Sequence, residues 1–336
     1  MIPAKYSFTK SFPRGLFTVR YDEPMSVHTT FRTGGPADVY VKLKPAVPYS
    51  RDRLAAAFAE LLGCARGAGV PVQIVGGGAN IVVADAGIRG ITLDTGVDGA
   101  PAGFIDLDSS RILNVYAGIQ SDAAAQFAME NSLSGLEFLA ALPGTAGGAV
   151  WMNARCWGRS VSDALYGVDI LDEDLNVVFE PFCAGEWAYK RSPYQNRDVL
   201  ILAARFRLSG GDRAGIQERM AGYRLEREQK GHFRCPSAGS VFKNNPALGK
   251  STGQIIDELG LRGMRSGGAQ VADWHGNFII NSGGATSSDI RTLVMAVLSE
   301  ARARLGIELE PEILFIGDWP GISTSLYSAS TVKISR

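Results

Sequence analysis

Apolar and polar positions change period several times along this chain, and each change marks an element. Asp38-Val39-Tyr40-Val41-Lys42-Leu43 alternates, which predicts a half-buried strand. Leu54 to Ala65 carries apolar residues at helical spacing and stops at Gly67-Ala68-Gly69. Val72-Gln73-Ile74-Val75 is short and apolar, a buried strand that runs into Gly76-Gly77-Gly78. The three make a β-α-β unit ending in a glycine loop. The glycines follow the second strand and no G-x-G-x-x-G opens a helix, which excludes a Rossmann domain.

Further strands are predicted at 90–94, 112–117, 166–171, 176–180 and 198–208, with a helix at 121–131 opened by Ser121 and Asp122. Gly210-Gly211-Asp212 marks a boundary, and a charged amphipathic helix covers 213–230. Helices at 251–260 and 287–305 come next, the second capped by Ser287, Ser288 and Asp289, with strands near 269–272, 277–281 and 312–316. The pattern describes a mixed α/β region followed by a smaller α+β domain. The Ser- and Thr-rich tail after Gly317 stays unassigned.

Composition narrows the function classes. At 336 residues the chain fits two or three domains. Its 34 basic and 34 acidic residues cancel, so no overall field favours nucleic acid or an anionic membrane as partner. Four cysteines with no C-x-x-C pair, and only three histidines, argue against a structural zinc site and for reduced thiols in a cytoplasmic protein. The amino terminus lacks the apolar core of a signal peptide, and no stretch approaches a membrane span. Glycine, at 40 residues, clusters in short loops, the arrangement that lets backbone approach a ligand closely.

Candidate chemistry lies in three places. Gly76-Gly77-Gly78-Ala79-Asn80 and, about 65 residues on, Pro143-Gly144-Thr145-Ala146-Gly147-Gly148 followed by Asn153 are suited to hold a large phosphorylated cofactor. In Ser237-Ala238-Gly239-Ser240-Val241-Phe242-Lys243-Asn244 an extended backbone would turn Ser240, Phe242 and Asn244 to one side. No G-x-S-x-G elbow surrounds Ser240, so a hydrolase nucleophile is poorly supported, whereas a hydroxyl can protonate a strongly basic carbanion without a histidine. Glu312 enters an apolar strand. Taken alone, Lys190 and Arg191 read most simply as surface charges, Arg227 and Lys230 as an exposed salt-bridged face, and His275 as a turn residue.

Together these residues resemble one family, the UDP-N-acetylenolpyruvoylglucosamine reductases, over nearly the whole chain. Thr30-Phe31-Arg32-Thr33-Gly34-Gly35 and Gly76–Asn80 are similar to its first flavin motifs, and Gly135-Leu136-Glu137-Phe138 with Pro143–Ala149 and Asn153 to the second. Ala238–Asn244, Gly268-Ala269-Gln270-Val271, His275-Gly276-Asn277-Phe278 and Glu310-Pro311-Glu312 resemble its substrate-domain motifs. The resemblance implies an α+β chain with an FAD-binding fold of the vanillyl-alcohol-oxidase (PCMH) type in two subdomains, 1–95 and 96–210. A smaller substrate-binding domain, 211–317, and a tail, 318–336, would follow. It implies non-covalent FAD, NADPH as co-substrate and a UDP-sugar enolpyruvyl ether as substrate, within peptidoglycan precursor synthesis. By the same resemblance Ser240 is the proton donor, Glu312 the carboxylate beside the substrate carboxyl, protonated or paired, and Lys190 the electrophile. Arg227, Lys230, Asn244 and Gln270 would bind substrate.

Three positions depart from the family. Its Tyr-Arg-x-Ser motif reads Tyr189-Lys190-Arg191-Ser192, so its arginine falls on Lys190, and Arg191 could replace it only if the backbone shifts. Ala79 stands where a serine is usual, and Arg155 where glycine is. The short link from Leu208 to Gln217 implies the branch without the substrate-covering tyrosine loop. Two rivals stand beside this reading: a flavin oxidase of an alcohol or hydroxy acid, and a degenerate UDP-sugar-binding protein without turnover.

Overall fold

The computed structural model describes residues 6, 9, 12–13, 15–44, 50–97, 103–320 and 331–332. The first sheet takes strands β1 (Phe17–Pro24), β2 (Pro36–Leu43), β3 (Val72–Val75) and β5 (Ile88–Asp94), with β4 (Ile81–Val83) set apart from it. Their order is β1-β2-β5-β3, and Thr331–Val332 adds an antiparallel edge beside β3. Both β2 and β3 run parallel to β5, so β5 slots between the two strands of the β-α-β unit. Helix α1 (Arg51–Gly67) starts at Ser50, whose side chain accepts from Arg53 N, and ends before Gly69 in the left-handed region.

The alternation in 38–43 does not produce a half-exposed strand. Val39, Val41 and Leu43 face the large core shared with α1, while Ala37 and Tyr40 face a second cluster with Val75, Val83 and Ile88. Both faces are covered, which a period-two pattern cannot disclose.

The second sheet is antiparallel, in the order β9-β8-β10-β7-β6, from β6 (Ile105–Leu107), β7 (Ile112–Tyr116), β8 (Leu165–Leu171), β9 (Val177–Pro181) and β10 (Leu200–Arg207). Helices α2 (Ser121–Glu130) and α3 (Ala146–Trp151) accompany it. Asp122 does not cap α2. The helix starts from Gln120, and the Asp122 carboxylate instead accepts from the amide of Ala141 at 2.6 Å. Val41 and Ile91 of the first sheet share one apolar core with Leu113, Val168 and Leu202 of the second.

Helix α4 (Arg213–Gln229), capped by Asp212, buries Ile216 and Met220 in that same core and carries the chain across to the third unit. There β11 (Ser237–Ser240), β12 (Ala269–Val271) and β13 (Phe278–Asn281) pair in the order β11-β13-β12, covered by α5 (Thr252–Glu258) and α6 (Ser287–Leu305). The cap of α6 is Thr286 in a reciprocal box with Asp289, one residue before the predicted serines. The amides of Ser287 and Ser288 go to the carboxylate of Asp85, each at 2.8 Å, which ties this unit to the first. A last strand, β14 (Leu314–Ile316), runs parallel to β4 and returns the chain to the first unit.

Candidate active site

A cavity of about 1200 Å³ opens where the three units meet. That exceeds the range of about 300–1,000 Å³ usual for a single small ligand. Gly76, Gly77, Gly78, Ala79 and Asn80 line it on one side, and Pro143, Gly144, Thr145, Gly147 and Gly148 join them from the second loop. A Cβ on Gly77 would stand 2.7 Å from the Cα of Gly144, and one on Gly76 would stand 2.5 Å from Thr145 Oγ1. The two loops are therefore packed backbone to backbone. Gly78 has φ +62°, and a Cβ there would lie 1.9 Å from the carbonyl oxygen of His28. Such a cradle presents backbone along a surface that side chains would fill, and it fits a flavin dinucleotide. Ala79 leaves that surface apolar, with its methyl facing Gly144.

Asn80 belongs to the cradle but spends its side-chain amide elsewhere. Its Nδ2 donates to the carbonyl of Glu312 at 3.0 Å, and its own carbonyl accepts from Leu314 N at 2.9 Å. The first glycine loop is thereby fixed to the segment that carries Glu312. Glu312 N in turn donates to Val241 O at 2.7 Å, one residue past Ser240. Cradle, carboxylate and serine are thus held together by backbone.

The pairing of Glu312 is with Lys190: Nζ lies 2.5 Å from Oε1, and each side chain is only about an eighth exposed (12% and 13%). Lys190 sits at a tight corner closed by the reciprocal Ala188–Arg191 backbone bonds, with φ +56°. The corner aims Lys190 into the cavity and leaves Arg191 exposed, outside its lining. Asn153 and Gln195 hold the corner by donating to the carbonyls of Ala188 (2.9 Å) and Lys190 (3.0 Å).

Ser240, Phe242 and Asn244 all line the cavity, as alternation along an extended segment predicts, whereas Val241 is buried in the core of the third unit. The Ser240 hydroxyl makes no hydrogen bond with a described residue. Asn244 also caps α5, its Oδ1 accepting from Thr252 N at 2.9 Å. Arg227 lines the cavity while 5% exposed. Its Nη2 meets Cys156 Sγ at 3.1 Å, its Cζ stands 4.7 Å over the Trp157 ring, and its Nε has no partner. Burial holds the Arg227 pKa below its ordinary value. Lys230 reaches the same cavity, paired with Glu226.

Two expected ligand contacts fall outside the lining. Asn153 is buried with both ends used, donating to Ala188 O and accepting from Ser162 N at 3.0 Å, so it braces the Lys190 corner. Gln270 is buried and turned to Asp273, at 3.0 Å. Sequence reading passed over Arg32 and Arg234, which line the cavity along with Arg155, and His232, which stands beside the Ser240 segment. Among the described residues, six Lys or Arg side chains line the cavity against one carboxylate, Glu312. The neutral chain conceals this local excess of positive charge, which the family resemblance signalled at Lys190, Arg227 and Lys230 and the departure at Arg155 signalled in part.

Fold and site together define an FAD-binding protein with an appended domain that closes an anion-attracting cavity over the cofactor cradle. Comparison with known proteins agrees. Residues 53–178 match the FAD binding domain family, and residues 229–316 match the C-terminal domain of UDP-N-acetylenolpyruvoylglucosamine reductase. The reductase of that name from Treponema denticola is 37% identical, the alignment covering 90% of this chain and 94% of the relative. The one from Borreliella burgdorferi is 41% identical over 74% of this chain and 81% of the relative. The crystal structure of the Thermus caldophilus reductase superposes with a TM-score of 0.67 at 30% identity, covering 90% of this chain and 99% of that one. The chain belongs to the UDP-N-acetylenolpyruvoylglucosamine reductase family.

Proposed function

We infer that this protein is the FAD-dependent, NADPH-consuming reductase that converts UDP-N-acetylglucosamine enolpyruvate to UDP-N-acetylmuramate for peptidoglycan synthesis. The observation that carries this reading is the shared cavity, in which Ser240 and the Lys190–Glu312 pair stand with the two packed glycine loops. FAD, held without a covalent bond, would supply two-electron transfer from NADPH to the enolpyruvyl double bond. The backbone of Gly76–Gly78 and of Pro143–Gly148 would hold it. Arg227, Lys230, Arg155 and Arg234 attract the diphosphates of UDP-sugar and NADPH in turn.

As C3 of the substrate is reduced, negative charge builds toward C2 and the conjugated carboxylate. The Lys190 ammonium is preorganised to meet it, because the corner and Glu312 fix its position before substrate arrives. The same ion pair answers the repulsion between Glu312 and a substrate carboxylate. Ser240 Oγ, uncommitted among the described residues, gives its proton to C2. Asn244 lines the substrate side. Gln270 acts from behind, on the Asp273 turn.

We place the FAD subdomains at 1–95 and 96–210, the substrate domain at 211–317 and the tail at 318–336, with α4 as the strut between the last two folded units. The tail lies largely outside the described residues. Among those residues no helix is long and apolar enough to cross a membrane, and a cytoplasmic location is our reading.

The test is a purified protein that is yellow and oxidises NADPH only when the sugar is present. Replacing Ser240 by alanine should abolish sugar reduction while leaving flavin reduction by NADPH intact. Oxygen consumption without NADPH would point instead to an oxidase. Tight sugar binding with no turnover in the unaltered protein would point to a degenerate binding protein.

A further inference from the structure

Each turnover of the proposed reaction takes up one proton, and Ser240 holds only one to give. Its hydroxyl has no hydrogen-bond partner among the described residues, so a replacement proton must arrive by another group or by solvent. Lys190 and Glu312 are committed to each other. His232 is a titratable side chain that lines the same cavity and stands beside Gly239 of this segment.

Its placement is specific. The His232 amide donates to Arg227 O at 3.1 Å and so continues the end of α4. The ring packs edge-on against Phe278, centroids 4.6 Å apart at 68°, and Phe278 is the register partner of Ser240. Nδ1 lies 3.7 Å from the point where a Cβ on Gly239 would stand. Gly239 has φ +72° and carries no side chain, so nothing separates the imidazole from the backbone leading into Ser240. The ring lines the cavity, and neither of its nitrogens bonds a described residue. A histidine serving only the core would have its nitrogens satisfied internally.

We propose that His232 is the proton relay that recharges Ser240. As Oγ gives its proton to the substrate carbon, one imidazole nitrogen passes its proton to Oγ, directly or through one water. The other nitrogen takes a proton from bulk water or a buffer acid. One proton moves from solvent to carbon, and only N–H, O–H and the new C–H bond are involved. The proposal rests on Ser240 being the donor, and it makes His232 a positioning residue that acts through the serine.

The surroundings suit a neutral relay. Arg227, Lys230 and Glu226 face the ring from α4, and His275 stacks on the same Phe278 at 4.1 Å. Burial, aided by Arg227, pushes the His232 pKa down to about 4. At neutral pH the ring is uncharged and can accept at one nitrogen while donating from the other.

The experiment uses the FAD-loaded full chain and separates its two half-reactions by stopped flow. In His232→Gln and His232→Ala, flavin reduction by NADPH should match the unaltered protein. Reoxidation by the enolpyruvyl sugar should fall by about 100-fold, the lower bound of general acid–base assistance. Added imidazole should restore the alanine variant, and a proton inventory should change from two protons in flight to one. The glutamine variant keeps the side chain polar and of similar size, so a folded, yellow protein remains available if alanine disrupts packing. Unchanged reoxidation in both variants overturns the proposal, as does a loss that imidazole does not rescue and that leaves the inventory unaltered. Absence of sugar reduction in the unaltered protein would instead reject the reductase reading itself.

Discussion

At the scale of single residues, Lys190 shows how position outranks type. A lysine followed by an arginine gives two candidates for one electrophile, and side-chain chemistry favours the arginine. The corner at Ala188–Arg191 decides for Lys190 by pointing it inward at φ +56° and leaving Arg191 outside. Holding a lysine in the left-handed region costs about 1–2 kcal/mol, and the bonds from Asn153 and Gln195 to that corner offset it. Replacing Lys190 by methionine keeps the stem and removes the charge, so Glu312 is left half-buried and unpaired. We expect sugar reduction to fall by about 10²–10³, the usual effect of deleting one preorganised charge-stabilising donor. Urea unfolding should show a loss of about 3 kcal/mol, the low end for a broken buried pair. Ser240 and Glu312 were legible from their motifs. Asn153 and Gln270 lie outside the cavity lining, because a motif marks a residue without saying whether it faces a cavity or the scaffold.

At the scale of elements, most helices and strands follow from periodicity and glycine stops, and the errors collect at helix starts. Asp122 and Ser287 are good capping types, but the amide of Ala141 claims the Asp122 carboxylate, and Thr286, one residue before Ser287, supplies the cap of α6. The glycine loops were legible as loops, and their contact was not, because 2.7 Å between Gly144 and a Cβ on Gly77 is a long-range fact. Gly78→Ala tests the cradle. The methyl group would meet the His28 carbonyl at 1.9 Å in a backbone conformation already unfavourable to alanine, so the loop must shift. The expected outcome is a folded protein, by circular dichroism, that purifies largely colourless and regains the 450 nm absorbance only at high added FAD.

For the whole molecule, the cavity sets an electrostatic pattern that net charge hides. Cationic side chains converge from the first glycine-rich unit, from the Lys190 corner and from the end of α4, and Glu312 is the one carboxylate among the described residues that lines the cavity with them. Burying His232 next to those cations has a consequence for stability. The unfolded chain binds a proton on this histidine near pH 6.5, whereas the native one resists until about 4. Protonation therefore favours the unfolded state, and stability should fall as pH drops from about 6.5 to 4, then level off with respect to this group. His275, also lowered by burial, adds in the same direction. Thermal unfolding followed across that window should show a smaller decline in His232→Gln than in the unaltered protein. An equal decline in both would place the effect on other groups.

The sequence by itself determined much of the inventory: most helices and several strands, the two glycine loops, and a set of candidate side chains that includes Ser240, Glu312 and Lys190. These are local properties, set by side-chain period, by glycine and by residue type. Tertiary structure alone decided which of the candidates share a cavity. It also turned one of two adjacent cations inward and set His232 beside Gly239, in the same cavity as Ser240. The shared cavity depends on contacts between segments far apart in the chain, such as Asn80 with Glu312, and no local pattern encodes them.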